Sequence, residues 1–143
     1  MKKKNINITI NLEDIFQSVY IESARHAMAA PQTYILTEDN AALLTKYVED
    51  GMTDVRTRMA GYVTLCSFNP NVDERNIVLQ LKLEHDSSPN LDNAMADVLK
   101  QLLANYVLLR FYGEQDTYYG VAWRKYRAQL MLVLARDQAA IAQ

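Results

Sequence analysis

The segment from Leu91 to Asp137 constrains the fold most, because it holds the densest helical periodicity in the chain. Apolar residues recur in both of its halves at spacings of three and four, which predicts two amphipathic helices. Gly113 lies between the halves and tolerates the left-handed conformation in which many helices end. Asp116 or Thr117 can cap the second helix, so the segment predicts an antiparallel helical hairpin. The apolar stripes are Leu91, Met95, Val98, Leu102, Tyr106 and Leu109 in the first half, and Tyr119, Trp123, Tyr126, Leu130 and Val133 in the second.

Three stretches outside the hairpin predict β-strands. Residues 5–11 and 76–84 alternate polar and apolar side chains, which is typical of strands with one buried face. Residues 62–68 are also β-prone and precede the last of these stretches. We therefore expect 62–68 and 76–84 to form a hairpin, with the N-terminal strand as the third member of a small antiparallel sheet. The predicted buried side consists of Ile6, Ile8, Ile10, Leu12, Ile77, Leu79, Leu81 and Leu83.

Two more helices are predicted between the first and second strands. Asn11 is a suitable cap for a helix from about Leu12 to Met28, and Pro31 ends it because proline disfavours helical geometry in the preceding residue. Thr37 is the next cap, and the helix that follows is expected to run from about Glu38 to Tyr62.

Two details of this region bear on packing. The connector 31–36 is expected to pack Tyr34, Ile35 and Leu36 against the core. Gly51 lies inside the second helix, where glycine costs about 1 kcal/mol relative to alanine. It marks a bend, a close helix crossing or simply a tolerated glycine.

Together these elements predict an α+β fold that is predominantly helical, with about four helices. At 143 residues the chain is long enough to bury a substantial core, so we expect a single domain over residues 1–143. Residues 1–4 and 138–143 are expected to be flexible ends.

Composition excludes several classes of protein. The net charge of −2 argues against a surface built mainly for nucleic acid, which requires a basic excess. Cys66 is the single cysteine and cannot form an intramolecular disulfide. No apolar run approaches the roughly 18 to 20 residues that span a bilayer, so no membrane partner is expected. The initial lysines precede an alternating stretch rather than the apolar core of a signal peptide, which predicts a cytosolic protein at synthesis.

No catalytic or metal-binding pattern is present in the sequence. His26 and His85 are far apart, and neither has other ligands at suitable spacing, so both are expected to be structural or solvated. Cys66 is more typical of a small buried apolar group than of a nucleophile. The four glycines do not form a phosphate-binding loop. We therefore expect no enzyme activity, no cofactor and no metal.

Aromatic and basic residues gather around the helical hairpin. Nine tyrosines are present, and those of the hairpin exceed what one small core requires. Tyrosine, tryptophan and arginine are enriched where proteins meet, so we expect protein contacts here. A basic face on the hairpin and an acidic face on the second helix can complement each other between copies. Binding of single-stranded nucleic acid by the basic and aromatic residues is the alternative. The interface candidates are Tyr112, Tyr118, Tyr119, Arg110, Arg124 and Arg127 on the hairpin, with Glu49, Asp50 and Asp54 on the second helix.

Several motifs of the hairpin match one known family. They are the alanine-containing helix 93–99, the run ANYVLLRFY at 104–112, the Tyr-Tyr pair at 118–119 and the run WRKYR at 123–127. In this pattern the chain resembles the small head–tail connector (adaptor or neck) proteins of tailed bacteriophages and prophages. The N-terminal strand that leads into an Asp-Ile-Phe helix is also similar to prophage neck proteins.

The resemblance implies a structural protein of the virion neck, made in the host cytoplasm. It implies a homo-oligomeric ring of about a dozen copies that binds the portal protein on one side and a tail or stopper protein on the other. DNA would pass through the lumen without sequence-specific binding. Two alternatives remain: a tail-completion or stopper protein of the same neck, and a small nucleic-acid-binding or regulatory protein.

Overall fold

The fold is given by a computed structural model that describes residues 4–30, 33–68, 76–83, 91–113 and 117–141. It confirms the predicted α+β class, with a C-terminal pair of helices and a small antiparallel sheet. In chain order the elements are strand β1 (Lys4–Asn11), helix α1 (Leu12–Ala29), a 3-10 helix (Glu38–Asn40), helix α2 (Ala41–Arg58), strand β2 (Val63–Phe68), strand β3 (Asn76–Leu83), helix α3 (Leu91–Tyr112) and helix α4 (Thr117–Ile141).

The sheet has the order β1-β3-β2, and both pairs of neighbouring strands are antiparallel. Ile8 pairs with Leu79 and Ile6 with Leu81, so the apolar sides of β1 and β3 coincide. All four of these residues are fully buried, as the period-two alternation predicts. β2 is an edge strand with an irregular register between Val63 and Leu65, and its side chains are more exposed than those of β3.

Helix α3 lies at the centre of the fold. It packs against α1, α2, α4 and β1, which explains why its apolar residues cover much of its circumference. Leu99, Leu102, Leu103 and Val107 are fully buried in the core that these elements share. The remaining helices and the sheet are therefore arranged around α3.

The N-cap of α1 is Asn11, as the sequence predicts. Asn11 has extended backbone angles, and its side-chain oxygen accepts a hydrogen bond of 2.8 Å from the Glu13 amide. Ile15, Phe16 and Val19 are buried, whereas Ala24, further along the same helix, is exposed. α1 ends at Ala29, close to the predicted Met28.

The second helix is shorter than predicted. Thr37 caps a 3-10 helix through a reciprocal pair of hydrogen bonds with Asn40, and α2 runs from Ala41 to Arg58 rather than to Tyr62. The carbonyl of Tyr62 accepts a hydrogen bond of 2.9 Å from the Lys82 amide. The chain leaves the helix early because the residues after Arg58 turn into the sheet, where β3 supplies their backbone partners.

The connector before the 3-10 helix corrects a further expectation. Leu36 is buried as predicted, but Tyr34 and Ile35 are exposed. A short segment in extended conformation points successive side chains in different directions, so it does not bury three in a row.

The predicted end of α3 is confirmed, whereas several other predicted features lie outside the described residues. Gly113 ends α3 with φ of +77°, the left-handed conformation that its position predicts. The proposed cap Asp116, the helix break at Pro31 and His85 lie outside the described residues. α4 continues to Ile141, past the predicted end of the hairpin at Asp137.

Gly51 is a site of close helix crossing. A Cβ atom added at this position would lie 2.9 Å from Leu103 Cδ2 and 3.0 Å from Tyr106 Cδ1, both on α3. These distances are shorter than ordinary carbon–carbon contacts of roughly 3.5 Å or more. The absence of a side chain therefore lets α2 approach α3. Of the three explanations that the sequence allows for Gly51, the structure supports the close helix crossing.

We expect Gly51→Ala to lower the free energy of unfolding by about 1 kcal/mol. Alanine improves helix propensity by about 1 kcal/mol, but overpacking a well-filled contact costs about 1–3 kcal/mol. Urea denaturation of both proteins measures the difference. Gly61→Ala is the control, since a Cβ there meets nothing within 4 Å. A Gly51→Ala protein more stable than the parent would show that the crossing has room for a methyl group.

Candidate protein-binding surface

An aromatic cluster joins α1 to the closed end of the α3–α4 hairpin. The ring of His26 lies 4.8 Å from that of Tyr112 and 5.7 Å from that of Tyr119, measured between centroids. Tyr112 and Tyr119 are stacked at 5.9 Å. His26 is therefore a packed side chain, in line with its expected structural role, and the cluster fixes three helices relative to one another.

A hydrogen-bonded chain centred on the buried Ser23 reinforces this junction. The Leu36 amide donates to Ser23 Oγ at 2.8 Å, and Tyr112 Oη donates to the Tyr34 carbonyl at 2.8 Å. Ser23 Oγ and Tyr112 Oη are 2.6 Å apart, so the serine hydroxyl donates to the tyrosine oxygen, whose own proton is used at Tyr34. Burial raises the pKa of Tyr112, and the hydrogen bond from Ser23 opposes this more weakly.

The two adjacent tyrosines at the start of α4 have opposite environments. Tyr119 is 1% exposed and belongs to the core, whereas Tyr118 is 65% exposed. The prediction that both contact a neighbouring chain needs correction for Tyr119, because helical phase turns it toward α1 and α3. Tyr112 is half-buried in the junction described above and is likewise mainly a packing residue.

Arg110 links the basic and acidic candidates within one chain. Its guanidinium lies 3.5 Å from Asp50 Oδ2, donates to Tyr106 Oη at 2.9 Å and stands over the Tyr47 ring at 5.1 Å. These contacts raise the pKa of Arg110, the hydrogen bond to Tyr106 most of all. Arg110 and Asp50 therefore hold α3 against α2, rather than standing on two separate faces.

The other two acidic candidates differ in availability. Asp54 accepts from Arg58 Nε with both carboxylate oxygens at 3.1 Å, one turn along the same helix. Glu49 is exposed. The negative charge on this face of α2 is consequently offset in part by cations of the same chain. The face is therefore a weak electrostatic surface.

The basic residues of α4 lie on or beside aromatic rings. The Arg127 guanidinium stands over Trp123 at 4.3 Å, and Lys125 Nζ stands over Tyr126 at 5.5 Å. Arg124 is exposed. These cation–ring contacts occupy ring faces that would otherwise be open to a ligand.

An open groove of about 410 Å³ lies between α1, α3 and α4. Ala104 and Leu108 of α3 form part of its lining. Ile21 on α1 is 62% exposed, and Val121 on α4 is 56% exposed. Together with Tyr118 they place exposed apolar side chains on both sides of the groove, a feature that helical periodicity alone did not predict. The groove is lined by Ser18, Ile21, Glu22, Gln101, Ala104, Asn105, Leu108, Tyr118, Val121, Ala122, Lys125 and Tyr126.

The chemical inventory of the described residues contains few reactive groups. No three His, Cys, Asp or Glu side chains within that part of the chain converge so that they could hold a metal ion. Cys66 is half-buried on β2, and burial raises the pKa of its thiol more than the charge of Arg56 lowers it. A raised pKa leaves less of the nucleophilic thiolate.

No helix in the described part of the chain combines the length and apolar character of a membrane span. No family model, curated protein or solved structure matches this chain.

Proposed function

We propose that this chain is a non-enzymatic structural protein that works by binding other protein chains. The observation that carries the proposal is the groove between α1, α3 and α4, whose exposed side chains include Ile21, Tyr118 and Val121. Exposed apolar side chains gathered on one surface are typical of protein contact sites.

The groove is held in shape before any partner arrives. The Ser23 hydrogen bonds and the Tyr112–Tyr119 stack fix α1 and α4 on α3. A surface that is already ordered loses less conformational entropy on binding than a mobile one. This supports a docking role for the groove.

Within this class, we propose that the chain is a head–tail connector subunit of a tailed-phage neck. A ring of identical subunits needs two different complementary surfaces on each copy. The groove, with exposed Arg124 and Lys125 on or beside its α4 side, supplies one. The exposed Tyr34 and Ile35, followed by the acidic Glu38 and Asp39, supply a second of opposite charge.

The positions of α2 and the groove around α3 suit such a ring. Tyr106 of α3 meets Gly51 of α2, whereas Leu108 lines the groove. At about 100° per residue, these two side chains leave α3 roughly 160° apart. The groove and α2 therefore lie on opposite sides of the central helix.

Mixing the purified chain with a tailed-phage portal protein encoded in the same genome tests the connector proposal. We expect ring-shaped complexes in negative-stain images and a defined stoichiometry by native mass spectrometry. Val121→Glu should weaken the complex because it places a charge in the groove, whereas Leu65→Glu, at an exposed position on β2, should not. Failure to bind the portal, together with salt-dependent retention on oligonucleotides, would favour the nucleic-acid alternative instead.

The nucleic-acid alternative has less support in the geometry. Arg124 and Lys125 are exposed, as phosphate contacts require. Binding of single strands depends on aromatic faces that are open to stacked bases. Here Arg127 covers Trp123 and Lys125 lies over Tyr126, so a base would have to displace each cation.

A further inference from the structure

The 34–39 segment, between α1 and α2, presents two exposed apolar side chains on an anchored backbone. Tyr34 is 59% exposed, and Ile35 is 47% exposed. The next residue is fixed, because the Leu36 amide donates a hydrogen bond of 2.8 Å to the buried Ser23 Oγ. An anchored segment loses less conformational entropy on binding than a mobile one. The 34–39 segment is therefore suited to dock on another surface in its present conformation.

The same segment carries negative charge. Glu38 and Asp39 are both exposed, and they follow the two apolar side chains directly in the chain. No lysine or arginine occurs between residues 33 and 45. The segment therefore has an apolar end and an acidic end.

The groove between α1, α3 and α4 has complementary properties. Ile21 and Val121 place exposed apolar side chains on its two sides. Among its lining residues, Lys125 is the basic one and Glu22 the acidic one. Glu22 pairs with Arg25 at 3.4 Å, which leaves the exposed Lys125 as the charge available to a carboxylate. Complementary charge of this kind selects partners and fixes the register of a contact.

The segment and the groove of one copy face different directions. Ile21 lines the groove, whereas Ser23 anchors the segment. At about 100° per residue, these two side chains leave α1 roughly 160° apart. The segment therefore lies on the opposite side of α1 from the groove of its own chain.

We propose that the 34–39 segment of one copy docks in the groove of the next copy. The inference rests on the proposed role of the groove as a protein-binding surface, and it names the partner as a second copy of this chain. In this contact Ile35 meets Val121, and Glu38 lies near Lys125.

The two contacts are compatible in spacing. Lys125 follows Val121 by one helical turn, about 6 Å, and Glu38 follows Ile35 by three residues, at most about 11 Å. The long lysine side chain spans the difference, so both contacts form together.

Such a contact joins two different surfaces, so each assembled pair still offers one groove and one segment. Contacts of this kind close into a ring or continue as a filament, whereas a two-fold contact stops at a pair. The contact uses this chain alone and needs neither portal protein nor DNA.

Disulfide trapping of the full chain tests the contact. In a Cys66→Ser background, Ile35→Cys and Val121→Cys are made singly and together. Both positions are about half exposed, so neither substitution should disturb the fold. On oxidation we expect a mixture of the two single variants to form linked dimers, and the double variant to form longer linked chains or closed rings. Each single variant alone should stay unlinked.

The other outcomes of this experiment contradict the proposal. Dimers formed by either single variant alone would show that like surfaces meet, as in a two-fold pair. An unlinked mixture would show that the segment does not meet the groove. A disulfide within one chain of the double variant would show that the segment reaches its own groove.

Charge reversal supplies a second measurement on the same mixture. Lys125→Glu in the chain that carries Val121→Cys should slow linkage about fivefold, because it replaces an attraction by a repulsion. Glu38→Lys in the other chain should restore the rate, since the ion pair is recreated with its charges exchanged. Lys82→Glu is the matched control, because Lys82 is exposed but lies on β3. Equal effects of Lys125→Glu and Lys82→Glu, or no recovery with Glu38→Lys, would overturn the proposal.

This result is separable from the connector proposal. Linkage of segment to groove by a chain that does not bind the portal protein would support the contact and contradict the connector proposal. A chain that binds the portal protein, but whose mixed variants stay unlinked both alone and in that complex, would contradict the contact and leave the connector proposal intact.

Discussion

Tyr119→Ala is expected to lower the free energy of unfolding by about 3–4 kcal/mol, the largest effect of any variant considered. Large aromatic side chains removed from a core cost about 3–5 kcal/mol, because apolar burial is lost and a cavity remains. Tyr119 is almost fully buried and packs on both Tyr112 and His26. The cavity would open at the junction of three helices, where the surrounding hydrogen bonds limit its collapse.

Tyr118→Ala is the matched control for this prediction. Tyr118 precedes Tyr119 and shares a ring contact with it at 5.5 Å, but most of its surface is exposed. We expect its removal to change the free energy of unfolding by about 0.5 kcal/mol or less. Urea denaturation of the two variants side by side makes the comparison. Equal losses from both would contradict the assignment of one tyrosine to the core and the other to a surface.

The architecture is well determined by local patterns. The alternation in β1 and β3 fixes both the strands and their buried sides, because a shift of one residue would expose every isoleucine and leucine. Gly113 ends α3 as expected, since few other residues adopt positive φ at low cost. These features depend on residues close in sequence, which is why the sequence alone predicts them.

The end of α2 shows where local patterns fail. Residues 59–62 continue the helical spacing of Met52 and Val55, so periodicity extends the helix to Tyr62. The backbone there instead pairs with Lys82, a residue of β3 that is distant in sequence. Tertiary hydrogen bonds outweighed a weak helical preference, and a single sequence carries no signal for such a contact.

The candidate surface was predicted only in part. The helical phase that turns Trp123 and Leu130 toward the core also turns Tyr119 toward it. The burial of Tyr119 could therefore be predicted from the sequence. The ion pair between Arg110 and Asp50 was not, because it depends on how α2 and α3 pack. Glu49, Arg124 and Arg127 stay predictions as interface residues, and the groove adds Val121 to them.

Ser23 belongs to no motif that would mark it in the sequence, and its replacement provides the second large prediction. We expect Ser23→Ala to lower the free energy of unfolding by about 2–3 kcal/mol. The Leu36 amide would lose its buried acceptor, and Tyr112 Oη would lose its donor. Each unsatisfied buried polar group costs about 1–3 kcal/mol, which exceeds the few tenths gained from the higher helix propensity of alanine.

Ser18→Ala separates these two contributions, because Ser18 lies on the same helix but at the partly exposed groove. It gains the same helix propensity without breaking the chain of hydrogen bonds, so a slight stabilisation is expected. Tyr112→Phe removes the other hydroxyl of the pair. If Ser23 and Tyr112 act as one unit, the double variant should lose less than the sum of the single losses in urea denaturation. Strictly additive losses would show that the two hydroxyls act independently, Ser23 through the Leu36 amide and Tyr112 through the Tyr34 carbonyl.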